Sequence, residues 1–149
     1  MHGRAAPARL RSLPSWLINQ ISITAHHLVS ARMAEVGAHR YQYSMLVALD
    51  EFGPASQAAL GRRVGLDRSD VAAAVTELAE RNLVERAADP LDRRRNVVRV
   101  TADGLSRLRE LDDIVGAAQD ELMAPLSGEE REQLVRLLAR LVDHHAASS

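Results

Sequence analysis

The stretch of this chain richest in chemistry is Asp89-Pro90-Leu91-Asp92-Arg93-Arg94-Arg95-Asn96. Three adjacent arginines on a turn point several guanidinium groups outward, and these planar forks pair with phosphate or carboxylate oxygens. Such a tip has the chemistry to clamp backbone phosphates or enter a minor groove; an ordinary solvated charged turn is the competing reading. Asp92, two residues before Arg94, is close enough to hold that guanidinium fork through its carboxylate and so preorganise it. All 19 basic side chains are arginine, a choice that base composition also explains, since alanine is abundant.

The surrounding elements must hold that tip. Leu83-Val84-Glu85-Arg86 and Asn96-Val97-Val98-Arg99-Val100 are β-prone runs on either side of it, predicting a hairpin with a basic tip. Upstream, Ser56 is the expected N-cap of a short helix ending at Val64, and Gly65 breaks it. Asp67 then caps a helix over 68–81, with Asp70 making its first turn acidic. Val71, Val75 and Leu78 give that helix an apolar face. Two short helices separated by Gly65-Leu66-Asp67 read as a helix-turn-helix.

Long helices bracket this unit. The first, predicted over 15–38, carries apolar residues at three- and four-residue steps on a broad surface. Another follows from Tyr43 to Phe52 and stops at Gly53-Pro54. Thr101 is the expected cap of a long helix bearing Leu105, Leu108, Leu111, Val115, Ala118 and Leu122. Pro125 ends it, and Ser127 with Glu130 forms a capping box for a last helix rich in leucine. Leucine-rich helices at both ends predict helix-mediated dimerisation.

The 149 residues fit one domain with terminal helices for assembly. Acidic groups number 20, and the net charge of -1, taken alone, disfavours a nucleic-acid partner. Its distribution says otherwise: residues 62–100 hold nine arginines against seven acids, whereas 103–149 hold five against ten. There is no cysteine, which excludes disulfides, thiolate metal sites and thiol oxidation. No run approaches the roughly 20 apolar residues of a membrane span. The basic start has no apolar signal core after it, so a cytoplasmic rather than secreted protein is expected. Residues 1–14, with Arg4, Arg9 and Arg11, read as a flexible basic arm. No hydrolase elbow, phosphate loop, zincin or dinucleotide fingerprint is present, and neither an enzyme nor a cofactor is expected. The paired histidines His26-His27 and His144-His145 predict surface or structural roles and no metal.

Residues 56–104 resemble the winged-helix domain of the MarR family of bacterial transcription regulators, and the likeness extends over most of the chain. It rests on Gly65-Leu66-Asp67, Asn82-Leu83-Val84, Asp92-Arg93-Arg94 and Thr101-x-x-Gly104 in combination, with Val100 where leucine is usual. The resemblance implies a mainly α fold with a small β-hairpin wing, a winged helix-turn-helix with long terminal dimerisation helices. It divides the chain into a helical dimerisation region at 15–40 and 105–146 and a DNA-binding domain at 41–104. It further implies a homodimer on a pseudo-palindromic double-stranded DNA operator, with residues 67–81 in the major groove and 87–96 as the wing. Arg94 then takes the minor-groove role, Asp92 supports it, and Arg93 and Arg95 add charge. Arg68, Ser69, Asp70 and Ala73 are the groove-facing candidates, although Asp70 also suits the helix N-terminus on its own account.

Two positions depart from the family pattern. Ala72-Ala73-Ala74 occupy the middle of the recognition helix, where alanine meets a thymine methyl but makes no hydrogen bond. Gly61 stands where alanine is usual. Relatives often sense small aromatic or lipophilic acids, and Trp16, His26, His39, Arg40, Tyr41 and Tyr43 are candidates for such an effector pocket; helix packing and capping explain the same residues. The expected function is a sequence-specific DNA-binding regulator, a ligand-responsive repressor. A protein-interaction module on the same scaffold and a small-molecule-binding stress protein are the alternatives.

Overall fold

Helix caps supplied by the local sequence set most of the architecture. The computed structural model describes residues 6–147. Its elements run α1 (Ala8–Arg11), α2 (Pro14–Ala34), α3 (Arg40–Phe52), α4 (Gln57–Val64), α5 (Arg68–Glu80), β1 (Val84–Ala88), β2 (Asn96–Val100), α6 (Ala102–Leu122) and α7 (Gly128–Ala146). The fold is mainly α with one two-stranded antiparallel hairpin. Ser56 Oγ accepts the Ala59 N–H at 3.1 Å, Asp67 Oδ1 the Asp70 N–H at 2.9 Å, and Thr101 Oγ1 the Gly104 N–H at 3.0 Å. At α7, Ser127 and Glu130 satisfy each other's backbone N–H groups in a capping box. Each cap fills a donor that a helix start leaves unpaired. Gly65 closes α4 at φ +71°, in the left-handed region that favours glycine.

Several boundaries differ from expectation. Helix α2 ends at Ala34, four residues early. The backbone beyond it turns at 35–37, where Arg107 donates to the Val36 carbonyl and Arg81 to the Gly37 carbonyl at 2.8 Å. Those carbonyls find partners from distant helices rather than continuing their own. Helix α3 starts three residues sooner than expected, at Arg40. Of the expected basic arm, residues 1–5 lie outside the described residues, while Ala8–Arg11 form α1 and lead into α2.

Met33, Met45, Leu46, Leu60, Val71, Val75, Leu78 and Leu111 fill the core at the junction of α2, α3, α4, α5 and α6. The hairpin is seated by a further bridge, in which Val98 and Ala55 exchange backbone hydrogen bonds of 2.7 and 3.1 Å. Helix α2 lies along α6, yet Met33 is its one buried residue among those described. None of the described residues of α7 is buried, and Val135, Leu137, Leu138, Leu141 and Val142 stand exposed along it. Leu17, Ile18 and Ile21 of α2 are exposed as well. Apolar surface on this scale marks a surface built to be covered. Among the described residues no helix is long and apolar enough to cross a membrane.

Candidate nucleic-acid interface

The wing is a preformed turn. Strand register runs from Val84 opposite Val100 to Ala88 opposite Asn96. Beyond it the loop is stitched shut: the Asp89 N–H donates to Arg95 O (2.9 Å), Asp92 N–H to Asp89 O (3.2 Å) and Arg95 N–H to Asp92 O (3.0 Å). Side chains add to this, with Asp89 Oδ1 accepting the Leu91 N–H at 2.9 Å and Asp92 Oδ1 the Arg94 N–H at 3.1 Å. The Asp92 carboxylate also lies 3.6 Å from Arg94 Nε. It reaches the edge of the guanidinium rather than gripping both prongs of the fork. Since the Arg94 side chain is 93% exposed, that ion pair adds little stability; Asp92 acts mainly through the turn. Arg93, Arg94 and Arg95 all stand in solvent, with their guanidinium groups open to phosphate oxygens.

Helix α5 presents its outer face beside the wing. Arg68, Ser69 and Ala73 are exposed, Asp70 is half-buried, and Thr76, Glu77 and Glu80 continue the face. Within the alanine triplet only Ala73 is exposed; Ala74 belongs to the core. The Ser69 hydroxyl donates to Asp67 Oδ1 at 2.9 Å, so it is engaged in the cap. The Asp70 backbone N–H and then the Ser69 hydroxyl hold the Asp67 carboxyl below its usual range. Two interface residues escaped sequence reasoning: Arg86 Nη2 donates to Thr76 Oγ1 at 3.1 Å, tying the base of the wing to α5. Arg86 is an exposed basic residue on a strand leading to the basic tip, and that was the available signal.

Gly61 has a packing reason. A methyl group there would stand 3.0 Å from Leu66 O and 3.2 Å from Val71 Cγ2, so glycine lets α4 sit close to the turn and α5.

The six candidate effector residues do not converge on one cavity. Arg40 donates to His26 Nδ1 at 2.8 Å and to Tyr41 Oη at 3.3 Å, and its guanidinium lies 5.0 Å from the Tyr41 ring centre. Arg40 and Tyr41 line an open hollow of about 530 Å³ with Ser44, Leu66, Asp67 and Asp70. His39 packs edge-on against Tyr41 and bonds to Glu77. Tyr43 instead donates to Asp112 Oδ1 of α6 at 2.7 Å, and burial followed by that bond pushes its hydroxyl up to about 12. Trp16 lies ten residues before His26 on α2, about 15 Å along the axis. Among the described residues no three His, Asp or Glu side chains gather to hold a metal ion.

An N-capped helix with an exposed outer face, tied to a basic-tipped hairpin, defines a winged helix-turn-helix DNA-binding regulator. Comparison with known proteins places it further. The MarR family model matches residues 37–95. The PcaV transcriptional regulator of Streptomyces coelicolor, solved in complex with its natural ligand, is 31% identical with a TM-score of 0.77, over 93% of this chain and 97% of that one. The HTH-type transcriptional repressor NicR of Pseudomonas putida is 31% identical over 68% of this chain, and the match spans 65% of NicR. MarR of Escherichia coli, at 20% identity, shares the fold with a TM-score of 0.76 over 87% of this chain and 96% of that one. The chain belongs to the MarR family, whose members are regulators rather than enzymes.

Proposed function

We propose that this DNA-binding regulator is a homodimeric, ligand-responsive repressor of a pseudo-palindromic operator. In each subunit α5 enters a major groove while Arg94 reaches the adjacent minor groove or its phosphates, flanked by Arg93 and Arg95. The carrying observation is the wing itself: a loop closed by five hydrogen bonds that leaves three guanidinium groups in solvent. A loop whose backbone is already closed loses little main-chain entropy on binding phosphate. The exposed apolar faces of α2 and α7 support a dimer built from the terminal helices, and two-fold symmetry in the protein calls for a two-fold site.

Base readout falls to Arg68, Asp70 and the Ala73 methyl, since Ser69 is committed to the cap. The ligand-responsive part rests on the hollow that Arg40 and Tyr41 line beside the α5 N-terminus. A cation over an aromatic ring suits a small aromatic carboxylate. PcaV has a natural ligand and NicR is a repressor, and both properties support the same reading here. The test is selection from randomised duplex DNA, followed by competition with an unrelated duplex and titration with a panel of aromatic acids. An enriched inverted repeat, released by a member of the panel, is expected. No enrichment overturns the operator reading, and full affinity across the panel overturns the ligand response alone.

A further inference from the structure

Glu77 projects from the outer face of α5, where a carboxylate would repel the phosphates of an approaching duplex. It does not stand free. Its Oε2 accepts the Gln42 Nε2–H at 2.8 Å and the His39 Nε2–H at 2.9 Å. An ionised carboxylate only accepts, so the His39 proton sits on Nε2. Gln42 is the one buried polar residue among those described, and its amide is aimed out of the core at this carboxylate. His39, the first residue before α3, makes no side-chain cap bond to its own helix and turns to Glu77 instead. His39 first, and Gln42 after it, hold the Glu77 carboxyl below its usual range. One turn further along the chain, Arg81 grips the Gly37 carbonyl at 2.8 Å. Two side chains one helical turn apart, at the end of the recognition helix, are thus fastened to the corner that joins α2 to α3 and to the first turn of α3.

We propose that Glu77, clamped by Gln42 of α3 and by His39 just before it, is a positioning residue that sets the angle of the recognition helix against α3 and the corner leading back to α2, and through it the half-site spacing the dimer accepts. The idea rests on the dimeric operator reading above. One base pair moves a half-site by about 3.4 Å and turns it by about 35°, so only a fixed pose penalises the wrong spacing. Loss of two hydrogen bonds to an ionised carboxylate lowers the population of the competent pose and weakens binding about tenfold.

The test uses the full-length protein, the inverted repeat enriched by selection, and the same duplex with one base pair added or removed between half-sites. Wild type is expected to lose at least about tenfold in affinity on either change, and Glu77→Ala to bind the cognate duplex about tenfold more weakly with under about threefold discrimination. Glu77→Gln, whose amide can still accept from Gln42, should recover most of both. Wild-type spacing discrimination in Glu77→Ala overturns the proposal; so does an equal loss in both variants, which would assign the effect to charge alone. Gln42→Met, which removes one donor at similar volume, replaces Glu77→Ala if thermal melts show that variant unfolded. Amide exchange over residues 76–81 of the free protein reads the clamp without DNA. Faster exchange in the alanine variant only is expected, and unchanged exchange overturns the clamp even if no operator is found.

Discussion

Gly104 carries the sharpest steric demand among the described glycines. It lies in the first turn of α6, where the hairpin returns to the helical body, and an added Cβ would stand 2.1 Å from Leu83 O and 2.7 Å from Val100 Cγ2. Both gaps fall well short of the roughly 3.5 Å at which such atoms rest comfortably. Leu83 O cannot simply withdraw, because it accepts the Thr101 N–H at 3.1 Å. Overpacking costs about 1–3 kcal/mol and a weakened backbone bond about 1 kcal/mol. Against these, alanine gains about 1 kcal/mol of helix propensity over glycine. Gly104→Ala is therefore expected to destabilise by about 2 kcal/mol, or about 4–8 °C in Tm for a chain of this size. Gly116, on the same helix with nothing within 4 Å of its would-be Cβ, is the control: Gly116→Ala should stabilise by up to about 1 kcal/mol. Urea unfolding followed by far-ultraviolet circular dichroism, at one fixed protein concentration, reads both. A Gly104→Ala protein as stable as wild type, or two variants shifting alike, would refute the steric argument.

Acid should loosen the recognition helix. The Asp67 carboxyl is held below its usual 3.8 by its cap bonds, and such a group stabilises above its unfolded value and loses that contribution as pH falls through the lower folded one. Thermal melts are expected to fall steadily below about pH 4, with a shallower fall in Asp67→Asn. Leu141→Glu places a charge on the exposed apolar face of α7, and sedimentation at micromolar concentration should show monomers where wild type shows dimers; an unchanged dimer would move the interface elsewhere. Arg40→Ala removes the cation over Tyr41, so aromatic acids should no longer release the protein from DNA while duplex affinity stays within about threefold, as measured by fluorescence anisotropy.

What could be read from the chain follows the range of the interactions concerned. The caps at Ser56, Asp67, Thr101 and Ser127 each bond a backbone N–H three residues away, so sequence alone exposes them. The wing was readable for the same reason, since its aspartates act on neighbours within the loop. Contacts between distant segments were not. The end of α2 depends on Arg81 and Arg107, and the Ala55–Val98 bridge joins a loop before α4 to the hairpin. Tyr41 and Tyr43, two residues apart, leave α3 in different directions, one toward Arg40 and the other toward Asp112. Grouping them by sequence proximity therefore joined side chains that the helix separates.

The wing's hold on DNA can be read from salt dependence. Duplex affinity of wild type and Arg94→Ala, measured on the selected operator from about 50 to 200 mM salt, gives the number of phosphate contacts as a slope. If Arg94 neutralises one phosphate in each of two subunits, the substitution should weaken binding and reduce the slope of log K against log salt by about 2. The base preference set by α5 should be unchanged. Equal slopes and equal affinities for the two proteins would contradict a DNA-contacting wing.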